Sequence, residues 1–122
     1  MTWMELNDGT YMPDMVDGVD LTGALARLRD NKGLYLKLVK SFFNSDFVAQ
    51  VKTALAAGNY ADARLHAHSL KGSAANLGME SVRALAEKLE HSYAAGINNE
   101  DTQKNMTLVM SDLARVREAF RI

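Results

Sequence analysis

From Asp17 onward the apolar positions recur at spacings of three and four, the period that gathers them on one side of an α-helix. Five helical segments follow from that pattern. Asp20 is placed to cap a short first helix carrying Leu21, Leu25 and Leu28, which ends near Asp30 and Asn31. The second and longest is expected from about Lys32 to Ala57, with Leu34, Leu38, Phe42, Phe47, Val51 and Leu55 as its apolar positions and Gly58-Asn59 as its stop. A third runs from about Tyr60 to Leu77 and is stopped by Gly78. The fourth carries Val82, Leu85, Ala86, Leu89 and Tyr93 on one stripe and is closed by Gly96. The fifth places Met106, Val109, Leu113, Val116 and Phe120 at alternating spacings of three and four, a coiled-coil-like seam.

Short connections make successive helices antiparallel neighbours. The expected fold is therefore all-α, an antiparallel up-down four-helix bundle with an additional short N-terminal helix, in a domain from residue 17 to residue 122. Residues 1–16 differ. They hold Trp3, Pro13 and four of the seven methionines with no sustained period, and predict an irregular arm or linker from which Trp3, Leu6 and Tyr11 can pack on the body. Nothing in the pattern predicts a strand.

Composition narrows the function classes. Fourteen Lys and Arg against fifteen Asp and Glu leave a formal net charge of -1, so the chain has no overall field to hold nucleic acid or an anionic membrane. There are no cysteines, which removes disulfides, thiolate metal sites and thiol catalysis. No apolar run approaches the roughly 20 residues that cross a bilayer, and the polar N-terminus does not read as a signal peptide, so a cytoplasmic location is expected. In 122 residues the reading finds no second domain, repeat or nucleotide-binding loop, and self-phosphorylation from ATP is not expected.

The third helix, YADARLHAHSLKGSAANL, has an unusual outward face. At about 100° per residue with His68 as zero, Leu77, Leu70, Ala63, Ala74 and Ala67 fall between about 180° and 260° and define the buried stripe. The opposite side holds His68 with Ala61, Gly72, Ala75 and Arg64 within about 40°. Exposed helix faces are normally filled with Lys, Glu and Gln, whereas this one leaves an imidazole standing clear among small residues. Gly72 is the sharper anomaly, since glycine inside a helix costs about 1 kcal/mol relative to alanine. Lys71, three residues from His68, stands on an adjacent row and can bring an ammonium near whatever the imidazole carries. A solvated imidazole has a free ring nitrogen for phosphorus at neutral pH, and phosphoryl transfer is largely positioning and charge stabilisation. Such a face is half of an active site, completed by a partner.

The run His68-Ser69-Leu70-Lys71-Gly72-Ser73-Ala74, followed by Leu77-Gly78, resembles the signature of the histidine-containing phosphotransfer (HPt) domains of multistep two-component phosphorelays. Gly18-Val19-Asp20-Leu21, Leu34-Tyr35-Leu36 and Ala56-Ala57-Gly58-Asn59-Tyr60 extend the similarity, which covers roughly residues 17 to 120. Met79 departs from the small or aliphatic residues common after the glycine. The resemblance implies that His68 accepts a phosphoryl group on Nε2 from the phospho-aspartate of one receiver domain and relays it to another, without kinase activity of its own. It implies Lys71 as the phosphoryl-stabilising cation, Gly72 as the clearance position, and Glu90 as the group that bonds the imidazole Nδ1. By the helix construction Glu90 lies about 80° from its apolar stripe, at an edge from which a neighbouring helix is within reach.

Ala61, Arg64, Leu65, Ser69 and Ala75 surround His68 and form the candidate docking patch for receiver domains, either free or within a hybrid sensor histidine kinase. The expected metal is Mg²⁺ supplied by the receiver's acidic pocket, because no carboxylates cluster around His68; a metal site in this chain is not expected. His66 lies about 160° from His68 and reads as a boundary packing residue, and two His at i and i+2 do not chelate on a helix. His91 reads as solvated. A sensor-kinase dimerisation domain is disfavoured because Ser69 stands where that family carries an acid, whereas a non-phosphorylated helical adaptor that docks receiver-like partners stays open. No nucleic acid or membrane partner is expected, and the seam of the last helix is expected to close the bundle of a monomer.

Overall fold

Short polar side chains set the starts of five helices by accepting a backbone N–H that the first turn leaves without a partner. Asp20 bonds the Gly23 amide at 3.0 Å and opens α1 (Leu21–Arg27), and Asn31 bonds the Leu34 amide at 3.0 Å and opens α2 (Lys32–Ser45). Asp46 bonds Ala49 at 3.3 Å ahead of α3 (Phe47–Ala56), and Asn59 bonds Asp62 at 3.0 Å ahead of α4 (Tyr60–Asn76). The fifth helix, α5 (Glu80–Ala94), starts without such a bond, and Asn99 caps α6 (Glu100–Phe120) on Thr102 at 3.1 Å. The computed structural model describes residues 3–6, 9 and 11–122. The fold is mostly helical, with α4 packed against both α3 and α5, and α5 against α6. Aromatic contacts join α2 to α6: the Tyr35 and Phe120 rings lie 6.0 Å apart, and the Arg117 guanidinium sits 6.0 Å from the Phe43 ring centre.

The single helix expected from Lys32 to Ala57 is two. Asp46 takes a left-handed backbone, φ 47° and ψ 59°, a conformation that Asp tolerates better than most residues, and its side chain then caps the next helix. The Gln50 side chain donates to the Ser45 carbonyl at 2.6 Å, closing the corner, and the rings of Phe42, Phe43 and Phe47 pack on one another at 5.2 and 5.7 Å. The buried face of α2 also differs from the expected one. Tyr35, Leu36, Val39 and Phe42 face the core, while Leu34 and Leu38 are exposed. Both stripes have helical spacing. The one carrying Tyr35 wins because its ring reaches Phe120 and its hydroxyl finds a buried acceptor.

Two short strands stand where an irregular arm was expected. β1 (Trp3–Glu5) and β2 (Tyr11–Pro13) pair antiparallel with Met4 opposite Met12, and Leu6, Met12 and Val16 belong to the core. Trp3 lies under the Arg121 guanidinium at 4.4 Å, so the hairpin rests on the end of α6, while Tyr11 is exposed. Residues 1, 2, 7, 8 and 10 of the expected arm lie outside the described residues. Each strand is three residues long, too short for a periodic signal to separate it from a loop.

The tightest junction is the corner between α4 and α5. Gly78 has φ 75°, and a Cβ there would collide with the Asp20 carbonyl oxygen. The close approach has a purpose: the Asp20 amide donates to the Gly78 carbonyl at 2.7 Å, and the Glu80 amide donates to the Gly18 carbonyl at 3.0 Å. Three further carbonyls at the end of α4 find partners from afar. The Arg27 guanidinium donates to Ala75 at 2.9 Å and Asn76 at 3.1 Å, and the Tyr35 hydroxyl donates to Leu77 at 2.8 Å. Burial pushes the Tyr35 hydroxyl well above its ordinary pKa, so it remains a donor. Gly78→Ala combines a disfavoured backbone with a backbone collision and is expected to destabilise the fold by more than about 2 kcal/mol. Urea unfolding monitored by circular dichroism measures it, and a loss below about 0.5 kcal/mol would mean the corner is free to shift.

Candidate functional site

Helix α4 presents one residue with chemistry on a face otherwise stripped of bulk. Its inward side is Ala63, Ala67, Leu70 and Ala74, all fully buried, with Leu77 behind them. Alanine at three of those positions keeps the side chains short, so α3 and α5 can lie close on either flank. Asn59 caps the start and also donates to the Asp62 carboxylate at 2.9 Å, while Asp62 places its negative charge in the first turn, where the helix dipole favours it. With both ends held and the inner stripe packed, the outward face has little freedom to move.

His68 stands on that face with its side chain 59% exposed. Glu90 reaches across from α5 and meets the imidazole Nδ1 with Oε1 at 2.8 Å. Its other oxygen, Oε2, meets Lys71 Nζ, also at 2.8 Å. One carboxylate thus joins the imidazole to the ammonium, and it is the most sheltered of the three, 13% exposed against 26% for Lys71. The Lys71 bond holds the Glu90 carboxyl below its ordinary pKa; burial works in the opposite direction, and the His68 bond adds a smaller lowering. An ionised carboxylate only accepts hydrogen bonds, so Nδ1 must carry the ring proton and donate it. In the neutral ring Nε2 is then the nitrogen that carries the lone pair, and it makes no hydrogen bond among the described residues.

The surroundings match the helix construction. Ala61, Leu65, Ser69 and Gly72 are exposed, Leu65 half so at 50%, while Arg64 and Ala75 are half-buried. At Gly72 an added Cβ would meet no atom within 4 Å. Nothing within the described residues requires glycine there, although glycine in mid-helix costs about 1 kcal/mol relative to alanine. The structure brings His68, Lys71 and Glu90 into one cluster, with Gly72 beside it and Ala61, Arg64, Leu65, Ser69 and Ala75 spread over the adjoining face. His66 is half-buried at the edge of the inner stripe, and His91 is exposed in the last turn of α5. Among the described residues no group of three His, Cys, Asp or Glu is gathered as for a metal ion. Sequence reasoning missed the pairing of Lys71 with Glu90, and it missed Arg27 and Tyr35 as the residues that hold the end of α4. A basic residue closing a seven-residue helix carries no signal of a target 48 positions away.

Comparison with known proteins bears on these features directly. The family model for the Hpt domain matches residues 43–119, which span α4 and α5 with the whole cluster. The comparison with curated proteins gave no match. Among solved structures, the chain is similar to the crystal structure of the HPt domain of a sensor hybrid histidine kinase from Shewanella, with a TM-score of 0.68 and 20% identity, covering 84% of this chain and 89% of that one. At that identity the likeness is one of fold, and it extends the correspondence beyond the residues that the family model matches. A helical chain with an exposed imidazole on a helix between two packed neighbours, matched over more than half its length by this model, belongs to the Hpt domain family, and its role is histidine phosphotransfer in a phosphorelay.

Proposed function

We propose that His68 is the phosphoacceptor, and that its Nε2 takes the phosphoryl group from a receiver-domain phospho-aspartate and returns it to another receiver. The observation that carries this reading is the 2.8 Å contact between Glu90 Oε1 and Nδ1 of an exposed imidazole: a carboxylate there favours the tautomer with its proton on Nδ1 and leaves Nε2 to react. Lys71 shares the Glu90 carboxylate with the ring and neutralises oxygens of the transferring group. Gly72 gives the incoming aspartyl phosphate room. Ala61, Arg64, Leu65, Ser69 and Ala75 form the surface on which the receiver docks, an area with an exposed leucine at its centre and few charges to desolvate.

The partners are receiver domains, free or in a hybrid sensor histidine kinase. Mg²⁺ is assigned to the receiver, because the groups beside His68 are an ammonium and a carboxylate already paired with it. The domain acts as a phosphocarrier without kinase activity of its own, as a monomer and in the cytoplasm; among the described residues no helix is long and apolar enough to cross a membrane. We further read α2 with α3, α4, α5 and α6 as the four rods of an antiparallel up-down bundle, with α1 laid across the end that holds the α4–α5 corner. The short links at residues 57–59, 77–79 and 95–99 and the pairwise packing support that arrangement.

Three substitutions test the assignments. His68→Gln is expected to fold as the unaltered chain does and to gain no acid-labile phosphate from a Mg²⁺-loaded phosphorylated receiver; labelling of that variant would remove His68 from the reaction, and an unaltered chain that binds the receiver but gains no phosphate would leave an adaptor role. Lys71→Ala is expected to slow transfer roughly ten- to a hundredfold with receiver affinity nearly unchanged, measured by rapid-quench kinetics and titration. An unaltered rate would show that the ammonium does not meet the phosphoryl group. Gly72→Ala is expected to stabilise the fold by about 0.5–1 kcal/mol while slowing transfer, since the new methyl meets nothing in the chain but narrows the approach to the ring. A variant that is both more stable and equally fast would refute the clearance role.

A further inference from the structure

The carboxylate at position 90 does more than orient a ring, and its consequence follows from the charge that transfer creates. This inference rests on His68 being the phosphoacceptor. When Nε2 attacks, its lone pair forms the N–P bond as the bond from phosphorus to the donor oxygen breaks. That oxygen leaves with the electron pair as a carboxylate. The imidazole keeps its Nδ1 proton, so the ring passes from neutral to cationic as the N–P bond forms. Glu90 Oε1, 2.8 Å from Nδ1, is therefore close to a charge that does not exist before the reaction and is fully developed after it. A hydrogen bond to an ionised partner strengthens as its donor becomes charged, and an interaction stronger in the transition state than in the ground state accelerates the step.

We infer that the charge of Glu90, and not merely its hydrogen bond, sets both how readily His68 takes a phosphoryl group and how long it keeps it. The second half follows from the same proton. Losing phosphate to water breaks the N–P bond and returns the electron pair to Nε2. With Nδ1 protonated the leaving group is a neutral imidazole, whereas without the proton it is an imidazolate, a far poorer one. A carboxylate can only accept, and so it favours the protonated, readily discharged ring. A carboxamide in the same place can turn its NH₂ toward a deprotonated Nδ1 and favour the long-lived form. Lys71 completes the exchange. Before transfer its ammonium lies on Oε2 at 2.8 Å; once the ring cation shares the carboxylate's charge and a doubly negative phosphoryl group stands on Nε2, the ammonium is drawn from the first partner toward the second. Glu90 is thus a positioning and charge-setting residue for a fast, short-lived phosphohistidine.

The test uses the whole chain with Glu90→Gln and Glu90→Ala, charged with phosphoramidate so that no receiver is needed, and follows phosphohistidine by ³¹P NMR. Glu90→Gln is expected to take up phosphate about tenfold more slowly and to hold it at least threefold longer at neutral pH. Its ¹⁵N ring shifts before charging should still report a proton on Nδ1, while Glu90→Ala should show a mixture of tautomers. A glutamine variant that charges and discharges at the rates of the unaltered chain overturns the inference while leaving the phosphoacceptor reading intact. If the unaltered chain gains no phosphate on His68 from either phosphoramidate or a phosphorylated receiver, both readings fall.

Discussion

An α-helix cannot satisfy its own last carbonyls, and in this protein the way those of α4 are satisfied organises the rest. Arg27 from the end of α1 and Tyr35 from α2 donate to the carbonyls of Ala75, Asn76 and Leu77, and the backbone around Asp20 pairs with Gly78. Elements far apart in the chain are thereby tied to one helix end. A helix that buries only one stripe of mostly alanine gains less from packing than one with large side chains, so its end contacts carry more of the burden of holding it still.

The second constraint is electrostatic and local. Exposed pairs such as Arg83 with Glu80 and Glu87, or Arg115 with Asp112, are the kind that contribute little to stability in water. The pairs made by Glu90 differ in placement. The carboxylate is sheltered between two helices, joins groups from α4 that are three residues apart, and is held ionised by Lys71 against the effect of burial. One side chain of α5 therefore meets both the imidazole Nδ1 and the Lys71 ammonium. With a net charge of -1 the protein has no long-range field to draw a partner in.

Much of this was legible beforehand, and the particular failures have particular causes. The cap at Asp20, the stops at Gly58-Asn59 and Gly78 and the seam of α6 depend on residues within a few positions of one another, which sequence displays. The corner at Asp46 was passed over by the single helix expected from Lys32 to Ala57, although the step from Phe42 to Phe47 is five residues, one more than helical spacing allows on a single stripe, and an Asp stands inside it. The buried face of α2 was not legible. Leu34 and Leu38 fit the period as well as Tyr35 and Val39 do, and only the positions of Phe120 and the Leu77 carbonyl decide between them. The hairpin was invisible for a further reason, since three-residue strands owe their existence to the surface beneath them.

For the site, the order of residues along one helix settled which imidazole faces outward, that small residues surround it, and that an ammonium stands one row away, because 3.6 residues per turn converts sequence into angle without help from the rest of the chain. It could not settle what Lys71 and Nδ1 touch. Their shared partner sits on another helix, 22 positions from His68, and its approach depends on how closely the alanine-rich face of α4 packs against α5. Local geometry is written in the order of residues, whereas the sharing of one carboxylate by two groups is a matter of distances across an interface, and those are decided only when the whole core has closed.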